Sequence, residues 1–242
     1  MCRTYNSNDQ SREEFDLRYG GLLGSAEDCN AKFHSYAMDL SALTPIGTVL
    51  GEGFYGRVLL AELAVPSSTH PSAQADRAGA KWQQSRRQVA VKAVRFAGRD
   101  GDHRTTLQAL LEARLLAVMR HPHLVQLLGI CMTYMPIQLV LEYCEWGDLR
   151  SFLRDGGAAR EGFSSVVAMA DMGTQSASAV AYLHSKLCLH RDLAARNILV
   201  ARPTTIEDAP ACGVVLKLSD LGLSRLLMAD DDYYRVRRPS RS

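Results

Sequence analysis

His190-Arg191-Asp192-Leu193-Ala194-Ala195-Arg196-Asn197 packs a histidine, two arginines, an aspartate and an asparagine into eight residues. Apolar runs border it, Tyr182-Leu183 before and Ile198-Leu199-Val200 after. Polar groups held between apolar runs predict a loop pinned at both ends by buried elements, with its polar tips aimed at a ligand. Asp192 can orient a hydroxyl and take its proton, and Asn197, five positions on, offers a neutral oxygen suited to a hard cation such as magnesium. The competing reading is a buried turn with a satisfied histidine and an ordinary ion pair.

Bulk properties remove several classes. The 242 residues suffice for one large domain or two small ones. With 47% hydrophobic and 22% charged residues the composition is that of a globular protein. Lys plus Arg is 28 and Asp plus Glu is 26, a net charge of +2, which gives no reason to expect nucleic acid as a partner. No run approaches the ~18 apolar residues of a membrane span, and Met1-Cys2-Arg3-Thr4-Tyr5-Asn6 lacks the apolar core of a signal peptide. The six cysteines form no Cys-x-x-Cys pair, so reduced thiols are expected rather than a disulfide framework. His121-Pro122-His123 has no second ligand pair nearby, which argues against zinc.

Three further stretches share the polar-between-apolar character. Gly51-Glu52-Gly53-Phe54-Tyr55-Gly56-Arg57-Val58 is a G-x-G-x-x-G-x-V pattern. A dinucleotide fingerprint needs a helix to open at the last glycine, whereas Val58-Leu59-Leu60-Ala61 reads as a strand. The glycines therefore sit in a hairpin, and a dinucleotide oxidoreductase is excluded. Val89-Ala90-Val91-Lys92-Ala93-Val94 is an apolar strand carrying a lysine, which either reaches water at an edge or needs a partner. Ser219-Asp220-Leu221-Gly222 follows the strand Val214–Leu218.

Together these stretches resemble the protein kinase family. The first is similar to the catalytic loop H-R-D-L-x-x-x-N, and its Ala-Ala-Arg resembles the tyrosine-specific branch. The glycine hairpin resembles the loop that covers ATP phosphates, Lys92 the lysine of V-A-I-K, and Asp220-Leu221-Gly222 the metal-binding D-F-G with leucine for phenylalanine. The resemblance implies ATP and Mg2+ as cofactors and a protein tyrosine as substrate. It makes Asp192 the base, Arg196 a stabiliser of transferring charge, Lys92 the phosphate-placing cation braced by Glu112, and Asn197 and Asp220 the metal ligands. Leu50, Gly51, Gly53, Gly56, Val58, Ala90, Glu142, Cys144 and Leu199 are implied in nucleotide binding, with Leu141 as gatekeeper. Tyr233 and Tyr234 resemble activation-segment phosphosites; a solvated acidic-aromatic tail is the alternative.

The chain then divides as follows. Residues 1–42 are expected to be a weakly ordered flank. Residues 43–145 form the N-lobe and hinge, with an inserted loop over 66–87, and residues 146–242 a partial C-lobe ending in the activation segment. The fold class is α+β: a bilobal kinase-like fold, with a small β-rich N-lobe carrying one main helix and an incomplete, mainly helical C-lobe. In the main helix, Thr105-Thr106-Leu107-Gln108 matches a capping box, Leu107, Leu110, Leu111, Leu115 and Val118 recur at helical spacing, and Arg114 and Arg120 read as solvent-facing. Gly147-Asp148 predicts a short helix with Leu149, Phe152 and Leu153 on one face, and Ser164-Ser165 starts a helix to His184 whose small residues suggest tight packing. The resemblance ends near Arg235, before the peptide-docking segment and later helices of a complete kinase. The expectation is a C-terminally truncated catalytic domain, poorly soluble and nearly inactive alone. A catalytically inactive nucleotide-binding scaffold or inhibitory kinase fragment is the second reading, and kinase-kinase association is an open partner class. Location is expected in the cytoplasm or on the cytoplasmic side of a membrane receptor.

Overall fold

The computed structural model describes residues 26–53, 56–65, 85–94, 103–132, 137–155, 165–203 and 209–226. A five-stranded antiparallel sheet forms the first lobe, in the order β1-β2-β3-β5-β4. Its strands are β1 (Leu43–Gly53), β2 (Gly56–Val65), β3 (Ser85–Val94), β4 (Leu127–Cys131) and β5 (Gln138–Glu142). Alternation along β3 sorts side chains to two faces. Val89 and Val91 join Leu43, Ala61 and Val140 in one buried cluster. Ala90 and Lys92 fall on the other face, opposite Leu141 and Leu139 of β5. A single strand thus contributes to a hydrophobic core and presents its lysine to the space between the lobes. Residues 85–87, expected within the inserted loop, belong to β3 instead, where Ser85, Arg86 and Arg87 pair with Val65, Ala64 and Leu63; the rest of that expected loop lies outside the described residues.

Among the described residues, three helices precede the main helix of the second lobe. Helix α1 (Ala26–Ser35) and a following 3-10 turn, Leu40–Ala42, correct the expected weakly ordered flank for residues 26–42. Phe33 is fully buried and Cys29 nearly so, in the same cluster as Leu110, Ala113 and Ala117 of helix α2 (His103–Val118). Burial of an aromatic side chain is worth roughly 1.5–3 kcal/mol, enough to order a helix too short to persist alone. Past α1, Met38 N–H donates to the Ile130 carbonyl (3.0 Å) and Ile130 N–H to the Tyr36 carbonyl (2.7 Å), which covers the open edge of β4. Helix α2 begins at His103, so the capping-box residues lie inside its first turns. The third, α3 (Leu149–Arg154), is capped by Asp148, whose carboxylate accepts from Ser151 N–H at 2.9 Å. Leu149 and Phe152 are buried, but Leu153, expected on the same face, is 41% exposed.

The second lobe is built on helix α4 (Val166–Ser185), with Ser165 Oγ accepting from Ala168 N–H at 3.1 Å as its cap. Ala168, Met172, Gln175, Ala179 and Leu183 form its buried stripe. Ala170, Gly173 and Ala177 are exposed, so the expected tight packing holds for Ala168 and Ala179 alone among those small residues. Two short ladders carry the loops of interest: β6 (Cys188–Leu189) with β9 (Arg225–Leu226), and β7 (Ile198–Ala201) with β8 (Val215–Leu218). The arrangement is the expected α+β frame, a β-rich lobe with one main helix beside a helical lobe. Among the described residues no helix is long and apolar enough to cross a membrane.

Candidate functional site

Lys92 is the first residue to place. Its Nζ donates to both carboxylate oxygens of Glu112, at 2.8 and 2.9 Å, and to Asp220 Oδ1 at 3.2 Å. The side chains of Lys92 and Glu112 are 13% and 6% exposed and that of Asp220 35%, so the cluster opens to solvent on the Asp220 side. Burial alone would push the Lys92 ammonium down, but the two carboxylates more than offset it and hold the group above the ordinary lysine value. Glu112 reaches inward from α2 although Leu110, Ala113 and Leu116 around it are packed. Residues 20 and 128 positions from Lys92 along the chain therefore meet on one nitrogen.

Asp192 and Asn197 form the second group. Asn197 Nδ2 donates to the Asp192 carbonyl and to Asp192 Oδ2, both at 2.8 Å, and Arg196 Nη2 donates to Asp192 Oδ1 at 2.5 Å. The Asn197 and Arg196 hydrogen bonds hold the Asp192 carboxyl below its ordinary range. With Nδ2 engaged, Asn197 keeps its amide oxygen as an acceptor. The 3-10 turn Ala195–Asn197 supplies the tight geometry that brings residue 197 back over residue 192.

Backbone bonds join the two groups. Ser219 N–H and Oγ both donate to the Asn197 carbonyl, at 2.8 and 2.9 Å, and Asp220 follows directly. His190, nearly fully buried, contacts the Ser219 carbonyl through Nε2 at 2.9 Å and accepts from Asp192 N–H on Nδ1 at 3.3 Å. One imidazole therefore spans both loops. Asp220 and Arg191 adopt left-handed φ values of 62° and 68°, conformations held by the surrounding bonds at a cost of about 1–3 kcal/mol each. Gly222 comes so close that a Cβ there would lie 3.3 Å from Asp220 Oδ1 and 3.4 Å from Glu112 Oε2. Leu221 is buried in the core beneath α2, the apolar anchor expected at that position.

The remaining candidates lie on the β1–β2 hairpin, on β3, on β5 and the connection after it, and on β7. Gly53 pairs with Gly56 at the tip of the β1–β2 hairpin, and Gly56 has φ 143°, open to glycine alone. Gly51 opposes Val58, and Val58 opposes Lys92. Ala90 is buried and opposes Leu141, while Leu50 is 38% exposed at the rim. Leu199 of β7 bridges to Asp148 just after the connection between lobes. In that connection Glu142 N–H donates to the Gln126 carbonyl at 3.0 Å, and burial with the Glu142 charge pushes the Cys144 thiol up to about 12. Tyr233 and Tyr234 lie outside the described residues.

Among the described residues no cluster of three or more His, Cys, Asp or Glu could hold a metal. The Asp220 carboxylate and the Asn197 amide oxygen nonetheless fit magnesium, which takes one or two protein oxygens and draws its other ligands from phosphate and water. A resident zinc or calcium cage would need more protein donors than this pair.

Four features were missed in the sequence. Arg114, read as solvent-facing, is 3% exposed; its Nη1 donates to Asn30 Oδ1 at 3.1 Å and its guanidinium lies 4.1 Å from the centroid of the Phe33 ring. Lys217 pairs with Glu142 at 3.0 Å, tying β8 to the end of β5. Gln175 donates to the Val214 carbonyl and accepts from Leu216 N–H, at 3.0 and 2.9 Å, from a fully buried position. The tight approach of Gly222 is the fourth. A lysine within the apolar run Val214–Leu218 was the one available sign, because such a lysine asks for an acid.

The chain is similar in sequence to known proteins. A family model described as protein tyrosine and serine/threonine kinase matches residues 44–242. Tyrosine-protein kinase ABL2 of Mus musculus is 38% identical over 149 residues, 62% of this chain and 11% of that protein. The high affinity nerve growth factor receptor of Gallus gallus is 34% identical over 197 residues, 77% of this chain and 22% of the receptor. The tyrosine-protein kinase transforming protein ros of UR2 avian sarcoma virus is 37% identical over 153 residues, 62% of this chain and 36% of that protein. The chain thus spans about a tenth to a third of the length of these relatives.

Proposed function

The chain belongs to the protein tyrosine and serine/threonine kinase family, on its tyrosine-kinase branch, and from that premise we propose that it transfers the γ-phosphoryl group of ATP to a protein tyrosine hydroxyl. The observation that carries the reading is Lys92, held between Glu112 and Asp220 while Asp220 is tied through Ser219 to the loop of Asp192 and Asn197. Bound ATP with Mg2+ supplies the transferable group and a divalent charge against it.

The protein's own residues position and neutralise. Lys92 presents a fixed ammonium to the α- and β-phosphates, and Glu112 keeps it in place. Asn197 and Asp220 hold magnesium through oxygen. Gly51, Gly53 and Gly56 let the hairpin backbone approach the phosphates. Leu50, Val58, Ala90 and Leu199 enclose the base, with Glu142 and Cys144 offering backbone groups to its edge. Asp192 receives the substrate hydroxyl. Its depressed pKa makes it a weak base, so it orients the hydroxyl first and takes the proton only as the oxygen bonds to phosphorus. Arg196, on the same carboxylate, adds positive charge near the moving group. Phosphorylation of Tyr233 or Tyr234 would add charge for Arg191 to pair with. The chain acts in the cytoplasm or at the cytoplasmic face of a receptor.

The test is transfer of labelled phosphate to a tyrosine-containing copolymer, with Asp192→Asn beside the parent chain. Turnover in the parent, lost by about 10²–10⁴-fold in the variant with nucleotide binding retained, is the expected result. Nucleotide binding without phosphotyrosine in the parent assigns the chain instead to the scaffold reading.

A further inference from the structure

Among the described residues, helix α2 makes polar contacts on opposed faces. Glu112 points to Lys92, and Arg114, two residues on and so about 200° around the helix, points to α1. A buried guanidinium is costly unless its donors and its face are both occupied. Here Asn30 takes an N–H and Phe33 takes the face. The same segment is fastened at its far end, where the Tyr36 hydroxyl bonds Arg120 just past α2 and the Tyr36 and Met38 backbone pairs with Ile130. The Arg120 N–H in turn donates to the Tyr182 hydroxyl of α4 at 2.9 Å. Residues 26–42 therefore grip α2 at its middle and at its end, from the side away from the nucleotide cleft.

We infer that Arg114, with Asn30 and Phe33, is a positioning residue: the α1 segment clamps α2 from behind and so fixes the inward reach of Glu112 to Lys92. Rotation or outward movement of α2 that withdraws Glu112 must first break the Arg114–Asn30 bond and lift the guanidinium from the Phe33 ring. The clamp and the ion pair are two ends of one lever. The inference deepens the kinase reading, since it concerns the same lysine, but its central observable is not turnover.

That observable is hydrogen exchange along α2, followed by mass spectrometry on the complete 242-residue chain. Asn30→Ala and Arg114→Met are expected to speed exchange of the amides of residues 109–118 about three- to tenfold while those of β3 and β5 are unchanged. Arg114→Lys, which keeps charge but loses the planar fork, should fall near Arg114→Met. Asn30→Ala removes no core atom, so it reads the clamp even if the Arg114 variants fold poorly. Nucleotide affinity by titration calorimetry supplies the second measurement: Asn30→Ala should weaken it about three- to tenfold in the parent and leave it unchanged in Glu112→Gln, where no pair is left to position. Unchanged exchange of residues 109–118 in both Asn30→Ala and Arg114→Met, or an equal loss of affinity from Asn30→Ala in the parent and in Glu112→Gln, refutes the clamp. If the clamp behaves as expected but the parent chain shows no phosphotransfer, the kinase reading fails alone. In an active chain, the clamp variants should also raise KM for ATP more than they lower kcat.

Discussion

Glu112→Gln, Lys92→Met and the double variant form a cycle whose outcome follows from burial. In Glu112→Gln the Lys92 ammonium loses two charged acceptors at 2.8 and 2.9 Å and keeps Asp220 at 3.2 Å. Breaking a buried pair by removing one partner costs about 3–5 kcal/mol. Because Asp220 remains and the cluster opens to water on its side, a loss of about 2–3 kcal/mol is expected here. Lys92→Met leaves the Glu112 carboxylate, 6% exposed, without its cation, and should cost a similar amount, about 2–3 kcal/mol. The double variant removes both charges and should recover about 2 kcal/mol relative to the sum of the singles. Urea unfolding followed by intrinsic fluorescence measures each corner. The pH dependence adds a check of sign. The folded lysine is raised above its unfolded value, so its stabilisation is complete below about pH 10.4 and disappears as pH climbs through the raised value. The parent minus Lys92→Met difference should therefore stay flat from pH 6 to 9 and shrink only in strong alkali. Additive single effects, or a difference that shrinks between pH 6 and 9, would refute the argument that a buried pair rather than local packing holds the site.

Three further outcomes follow from particular contacts. Gly222→Ala places a Cβ 3.3 Å from Asp220 Oδ1 and 3.4 Å from Glu112 Oε2; small shifts can relieve it, so stability should change by less than about 1 kcal/mol while nucleotide affinity falls, as titration calorimetry would record. Gln175→Ala removes the acceptor of the Leu216 N–H and leaves the Val214 carbonyl with the weaker Cys212 thiol donor, and should cost about 1–3 kcal/mol in a denaturant melt. Val166, Val167 and Met169 are 83%, 66% and 58% exposed on the first turn of α4. Replacing Val166 and Met169 with lysine should change the unfolding free energy by no more than the roughly ±0.5 kcal/mol of ordinary surface changes while reducing self-association in light scattering.

The legible part of this molecule was its distant convergence. Lys92 in an apolar strand, Glu112 on a helical flank, and aspartates after a loop and a strand each break the pattern of their surroundings. A residue that breaks its local pattern has to be satisfied elsewhere, so the sequence names the members of the cluster without naming the distances. The N-cap serines and aspartates at Ser165 and Asp148 were readable for a different reason: they act within four residues. Leu153 and the small residues of α4 were misassigned because helical spacing reports a face, and the face α4 buries is set by which neighbours arrive.

Helix α1 was invisible for a reason that bears on the site. Its ten residues carry acids in the first turn and bases in the last, the charge order a helix favours, but only Cys29 and Phe33 mark an apolar face. Two positions give no period, and a helix of that length does not hold its shape in water. Its order is borrowed from α2. The converse also holds, since Asn30 and Phe33 receive Arg114 in the interior. Neither partner makes sense alone, and each was misread alone, one as flank and the other as surface charge. Pairwise dependence of this kind separates the clamp from the Lys92 cluster. In the cluster every member carries a charge in an apolar setting that demands explanation. In the clamp the arginine sits where an exposed arginine would also fit, and the phenylalanine where a loop could carry one, so nothing in either stretch asks for the other.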